Sequence, residues 1–229
     1  MDPYYVDDSV TLWHGDCREI TDWLTADVLV TDPPYGRNWR QGDNLPRPNR
    51  RAKSQGRGGI AGDATTEVRD RALALWGDRP AIVFGDLMLS PPAGTKLVGV
   101  YHKPLDAGVR GAIGGFRRDA EAIYLLGRWP SGVGGRSSVL STGARSLGNP
   151  YGVAARSGHS LAKPVDVMEE LIAACPDGVL ADPFAGSGST LVAARNLGRR
   201  AIGVELEERH CRTIARRLAA DVLPIGGAS

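Results

Sequence analysis

Apolar residues fall in short blocks along this chain, and two periods alternate. Residues 27–31 (DVLVT), 81–84 (AIVF), 97–101 (LVGVY), 122–126 (AIYLL), 179–181 (VLA) and 201–204 (AIGV) are brief, near-continuous apolar runs. Runs of that length and character predict strands, and DVLVT has the pattern of one covered on both faces. A further short strand is predicted over 10–13, closed by Gly15 and Asp16. Between the runs the pattern predicts helices over 17–24 (CREITDWL), 67–76 (EVRDRALALW), 165–175 (VDVMEELIAAC, with Pro164 in its first turn) and 190–198 (TLVAARNLG, stopped by Gly198). A last helix sets Cys211, Ile214, Ala215, Leu218 and Val222 on one stripe, with Arg209, Arg212, Arg216 and Arg217 largely on other faces. That stripe is core packing. Strands alternating with helices predict an α/β fold with a mostly parallel sheet.

Two stretches break the pattern. Residues 37–57 carry seven Lys or Arg against one acid, Asp43, and residues 128–160 carry four Arg and no acid. Both are rich in Gly, Ser, Pro or Asn, so neither builds a core, and both read as loops. The ordinary reading of such a run is a solvated loop. Two acid-poor loops in one small protein favour a polyanionic partner, nucleic acid above all. The 229 residues, 42% hydrophobic and 24% charged, are enough for one substantial core. The expected organisation is a single domain over 1–229, with a mobile basic loop at 37–60 and an insert at 128–160. No run approaches the roughly 18 apolar residues of a membrane span, and MDPYYVDDS lacks a basic-then-apolar leader, so a cytoplasmic protein is expected. Cys17, Cys175 and Cys211 stand far apart with no C-x-x-C, which argues for small core residues and against a zinc site.

Residues 179–205 (VLADPFAGSGSTLVAARNLGRRAIGVE) read as strand, acid, glycine turn, helix, strand and acid: a β-α-β ligand-binding unit. Gly186 and Gly188 let backbone approach a ligand, and the free N–H groups of the helix start point into the same space. Glu205 ends the second strand at the distance from the glycines where an acid takes ribose hydroxyls. A phosphate-binding loop would need a Lys in this turn, and there is none. A dinucleotide site expects a third glycine, where Leu191 stands, and Asp182 would face the diphosphate. A carboxylate there suits a ligand with a cationic centre. S-adenosylmethionine has an ammonium, a sulfonium and a ribose. The competing reading, a structural strand–helix turn, needs neither acid.

TDPPYG (31–36) ends another apolar strand. In an open parallel sheet, ligands bind beyond the C-terminal strand ends. If the strands ending in Asp32 and Asp182 are neighbours, both acids face one cleft. An exocyclic amino group on a base is a poor nucleophile, because its lone pair is delocalised into the ring. Two acceptors aimed at its N–H bonds favour the tetrahedral geometry that attack requires. The Asp32 carboxylate supplies one and the Pro33 carbonyl the other, held by the fixed φ of Pro34. Tyr35 offers a face for stacking, and the base must first leave the duplex. The bland alternative is a rigid turn.

With these motifs in place, the chain resembles the S-adenosylmethionine-dependent amino-methyltransferases of DNA, which make N6-methyladenine or N4-methylcytosine. It resembles the beta class, in which the catalytic motif precedes the cofactor motif. TDPPYG (31–36), HSLAKP (159–164), ADPFAGSGST (181–190), IGVELEERH (202–210) and GDC (15–17) carry the resemblance, from about Val10 to Leu218. It implies a seven-stranded, mostly parallel Rossmann-like sheet between helices, with one antiparallel strand. It implies catalytic roles for Asp32, Pro33, Pro34 and Tyr35. Asp182, Pro183, Phe184, Ala185, Gly186, Gly188 and Ser189 would line the S-adenosylmethionine site, with Glu205 on the ribose, His159 and Lys163 at the methionine end, and Asp16 with Cys17 near the adenine. The segment 128–160, where the family holds its target-recognition region, is short and glycine-rich here. Arg37, Arg40, Arg50, Arg51, Arg136, Arg145 and Arg156 are the DNA-contact candidates, with phosphate contact favoured.

The expected activity is N6-adenine methylation of double-stranded DNA, since Asp at position 32 leans that way by resemblance. N4-cytosine methylation is the runner-up and a structured RNA a third target. From other classes, a nicotinamide-dependent oxidoreductase lacks its third glycine, and a non-catalytic DNA-binding module would not need Asp32, Tyr35, Asp182 and Glu205 intact. A homodimer, a partner restriction endonuclease and a phage-encoded role in a bacterial host all fit these residues. His102, Lys103 and Asp86, each near a strand end, carry no assigned role.

Overall fold

The structure, a computed structural model, describes residues 2–38, 60–103, 113–132, 135–141 and 162–220. Most of both basic stretches lies outside them, and with it Arg40, Arg50, Arg51, Arg145, Arg156, His159 and Val222. The described strands are β1 (Tyr5–Val6), β2 (Val10–His14), β3 (Val28–Thr31), β4 (Ala81–Gly85), β5 (Thr95–His102), β6 (Ala120–Leu126), β7 (Val139–Ser141), β8 (Leu180–Asp182) and β9 (Ala201–Glu205). The helices are α1 (Glu67–Trp76), α2 (Val165–Ile172), α3 (Ser189–Asn196) and α4 (Glu208–Ala220).

The strands form one sheet in the order β1-β2-β9-β8-β3-β4-β6-β5-β7. Pairs β2·β9, β9·β8, β8·β3, β3·β4 and β5·β7 are parallel, while β6 runs against both β4 and β5. From β2 to β5 this is the expected seven-stranded sheet with one reversed strand. The two additions are short edge strands: β1, antiparallel to β2, and β7, parallel to β5. They pair the outer backbone groups that seven strands would leave open.

Alternation within the strands divides the core. Val28, Val30, Ile82, Phe84 and Leu180 face a cluster with Val167, Met168, Leu191, Ile214 and Leu218, from α2, α3 and α4. Leu29, Ala81, Val83 and Ala181 face the other side, with Trp23, Ala72 and Trp76. Helical cover on both faces is why these strands read as continuous apolar runs. Close packing is visible at Gly203, where a Cβ would stand 2.7 Å from Leu191 Cδ1.

Residues 17–24 differ from expectation. In place of a helix there is a turn at Asp16 and a single 3-10 turn, Asp22–Thr25. The Asp16 carboxylate accepts the Arg18 N–H at 2.9 Å and pairs with the Arg18 guanidinium. That local bonding competes with helix formation. The Trp23 indole N–H then donates to the Cys17 carbonyl at 2.9 Å, and the Trp23 ring stacks on Trp76. Pro164 is extended and caps α2 rather than entering it.

From β8 the chain passes through α3 to β9 on one side; from β3 it passes through α1 to β4 on the other. The order therefore reverses between β8 and β3, and a crevice is expected beyond their C-terminal ends. Asp182 and Asp32 stand there.

Candidate active site

The two motif strands are neighbours, with Leu29 opposite Ala181. At the ends of these strands the Thr31 hydroxyl donates to Asp182 Oδ1 at 2.7 Å. The same oxygen accepts the Phe184 N–H at 3.1 Å. Burial pushes the Asp182 carboxyl up to about 6, against hydrogen bonds from Thr190, Thr31 and the Phe184 backbone. Pro183, Ala185, Ser187 and Ser189 are buried around it. The Ser189 hydroxyl donates to the Lys163 carbonyl at 2.7 Å, which ties the glycine turn to the segment before α2.

The two turn glycines differ. Both have positive φ, 51° at Gly186 and 78° at Gly188. A Cβ on Gly188 would stand 2.9 Å from Ile214 Cγ1, so that glycine lets α4 close on the turn. A Cβ on Gly186 would meet only the Phe184 carbonyl oxygen, at 3.7 Å, so Gly186 leaves open space. Glu205 closes the turn from the far side. Its Oε2 accepts the Gly186 N–H and its Oε1 the Glu207 N–H, each at 2.7 Å. Burial pushes this carboxyl up to about 7, opposed by those two backbone bonds. At the adjoining end of β2, where His14 pairs with Glu205, a cavity of about 350 Å³ is lined by Trp13, Gly15, Asp16 and Ile20 among others. The Trp13 indole nitrogen is buried and has no acceptor among the described residues. Asp16 thus stands in the cavity wall, while Cys17 lies in the core, its thiol pushed up to about 12 by burial.

On the β3 side the Tyr35 hydroxyl donates to Asp32 Oδ1 at 2.8 Å. The Lys163 ammonium lies 2.7 Å from Asp32 Oδ2 and 3.2 Å from the Tyr35 oxygen. The structure thus brings Lys163, read by resemblance as a methionine-end contact, onto the Asp32 carboxylate. Pro33 is buried and Pro34 partly so. Beyond them Asp63, buried in a distant loop, accepts the Gly36 N–H at 2.8 Å and holds the turn after Tyr35. Arg37 pairs with Asp86, which also caps its own turn by accepting the Met88 N–H at 2.8 Å. Arg136 is exposed and donates to the Ala173 carbonyl at 3.1 Å.

Two residues of this edge stand outside the motifs. Glu121 is the second residue of β6, with its Oε2 3.2 Å from Lys163 Nζ and its Oε1 2.5 Å from Lys103 Nζ. Asp63 is the other. Each is a single acid among ordinary ones in sequence, and only the meeting of β3, β5, β6 and the loops gives it partners.

Known proteins bear on this geometry. Residues 129–216 match a family model described as DNA methylase, of the N6/N4 methyltransferases. The protein YubD of Escherichia coli (strain K12) is 29% identical over 237 residues, covering 90% of this chain and 88% of its own. The PvuII DNA methyltransferase (cytosine-N4-specific) superposes with a TM-score of 0.63 at 16% identity, over 99% of this chain and 91% of its own. M1.HpyAVI, solved as a complex with S-adenosylmethionine, superposes with a TM-score of 0.58 at 20% identity, over 91% of this chain and 99% of its own. Residues 129–216 thus resemble the N6/N4 DNA methylases, and the chain as a whole has the Rossmann-like fold of these solved methyltransferases.

Proposed function

We propose that this protein transfers a methyl group from S-adenosylmethionine to the exocyclic amino group of a DNA base, with N6 of adenine as the target. The observation that carries the reading is that the strands ending in Asp32 and Asp182 are neighbours, tied at their ends by the Thr31–Asp182 hydrogen bond of 2.7 Å.

The cofactor half fits its ligand. Two carboxyls, Asp182 and Glu205, are buried on either side of a glycine turn, and burial raises both. Buried acids of this kind call for a cationic or hydroxyl-bearing ligand. Asp182 would face the charged methionine portion, Glu205 the ribose, and Gly186 would give backbone approach. Bound there, S-adenosylmethionine supplies an electrophilic methyl group on a sulfonium.

The base half is built for an amino group. Asp32 and the Pro33 carbonyl accept its two N–H bonds and draw the nitrogen out of conjugation, towards the tetrahedral geometry of attack. Pro34 fixes the position of that carbonyl. Tyr35 packs along the base that has left the duplex. The basic residues of 37–60 and 128–160 would hold the DNA phosphates.

The test is methyl transfer from labelled S-adenosylmethionine to unmethylated bacterial DNA, followed by nucleoside mass spectrometry. N6-methyladenine is expected. N4-methylcytosine would keep the chemistry and reassign the base. A cofactor-bound protein with no DNA product would overturn the assignment.

A further inference from the structure

Four alternating charges run along the reacting edge: Lys103, Glu121, Lys163 and Asp32. Successive contacts measure 2.5, 3.2 and 2.7 Å. They come from four places in the chain: the end of β5, the start of β6, the residue before Pro164, and the end of β3. The Lys163 side chain is 10% exposed and that of Glu121 15%. Burial works against the Lys163 charge, but Asp32 and Glu121 outweigh it and hold its pKa above the ordinary lysine value. Burial likewise opposes the Glu121 charge, and Lys163 with Lys103 hold that carboxyl below its ordinary range. Glu121 and Lys163 therefore hold each other in their charged forms.

This has a consequence for Asp32. Its Oδ2 is held by an ammonium and its Oδ1 by the Tyr35 hydroxyl. A base amino group that donates to Asp32 competes with Lys163. Methyl transfer also puts positive charge on the base nitrogen, which an adjacent, unbalanced ammonium opposes.

We propose that Glu121 is a positioning residue that offers the Lys163 ammonium a second seat, away from Asp32, and so frees the Asp32 carboxylate for the base. Lys103 sets the strength of that pull, because it shares the Glu121 charge. The inference rests on the methyltransferase reading above and adds the control of its acceptor.

The test is single-turnover methyl transfer, measured beside cofactor affinity and thermal unfolding. Glu121→Gln leaves Lys163 on Asp32, and transfer falls about 10- to 100-fold. The cofactor dissociation constant stays within about twofold, since the ion-pair partners of Glu121 are Lys103 and Lys163 on the Asp32 side and not the acids of the glycine turn. Glu121→Asp restores part of the rate. Lys103→Met has the opposite sign: with its whole charge on Lys163, Glu121 pulls harder and transfer is faster than in the wild type. A structural role would slow both variants. Wild-type transfer in Glu121→Gln, or slowing of Lys103→Met alongside it, overturns the proposal. A wild-type protein that methylates no nucleic acid overturns the underlying reading instead.

Discussion

The Thr31 hydroxyl and the Asp182 carboxylate meet at 2.7 Å, and this bond joins the strand that presents Asp32 to the strand that presents the glycine turn. Asp182 is 2% exposed, so it cannot replace that donor with bulk water. Thr31→Val keeps the shape and removes the hydroxyl. It is expected to cost about 1–3 kcal/mol, the penalty of a buried acceptor short of a partner. Urea unfolding measures it, and an unchanged midpoint would mean that the carboxylate does not depend on Thr31.

The raised carboxyls give a pH signature. Glu205 goes from an ordinary value of 4.5 to about 7, and Asp182 from 3.8 to about 6, both chiefly by burial. Each group in the unliganded fold prefers its proton. Their contribution to stability is therefore complete below the unfolded values and is lost as pH rises through about 6 and about 7. Cofactor binding runs the other way, because the ionised Glu205 is the stronger acceptor for ribose hydroxyls. Affinity is expected to rise between pH 6 and pH 8, around its value of about 7. Glu205→Gln should flatten that rise and weaken binding by about 1.5–3 kcal/mol per charge-assisted bond lost. Calorimetry at several pH values reads both. A pH-independent wild-type affinity would place the ribose elsewhere.

The two turn glycines should fail differently. Gly188→Ala forces a Cβ into Ile214 at a φ of 78°, so it strikes the fold. The backbone term alone is about 1–2 kcal/mol. Gly186→Ala carries backbone strain at a φ of 51° but meets only the Phe184 oxygen, so its larger effect falls on cofactor affinity. Unfolding curves and binding isotherms for the pair separate these effects. The reverse assignment would contradict the geometry.

Burial pushes the Cys17, Cys175 and Cys211 thiols up to about 12. Thiolate is the reactive form, so a disulfide reagent at pH 8 should label the native protein slowly and all three cysteines once it is unfolded. Rapid native labelling would show that one of these sites opens.

Much of this was readable from the chain, for physical reasons. The strands ending in Asp182 and Glu205 stand out because cover on both sheet faces demands short apolar runs, and helix 67–76 because Ala72 and Trp76 recur at helical spacing on its buried face. The DPPY and glycine motifs carry their chemistry locally, so their positions needed no fold. The 17–24 segment misled because Asp16 spends its carboxylate on Arg18, a choice its helical pattern does not reveal. Lys163 was legible as a site residue, but not its partner: that depends on how β3 and β6 approach across the sheet. Glu121 and Asp63 were invisible for the same reason.

The most direct measurement compares the wild type with Asp32→Ala in two assays: single-turnover transfer from labelled S-adenosylmethionine to DNA, and calorimetric cofactor binding. The wild type is expected to methylate an exocyclic amino group. Asp32→Ala is expected to lose transfer by about 1,000-fold or more while its cofactor dissociation constant stays within about threefold. Transfer retained without Asp32, or cofactor affinity lost in the same proportion as transfer, would contradict the division of the cleft into an acceptor half and a cofactor half.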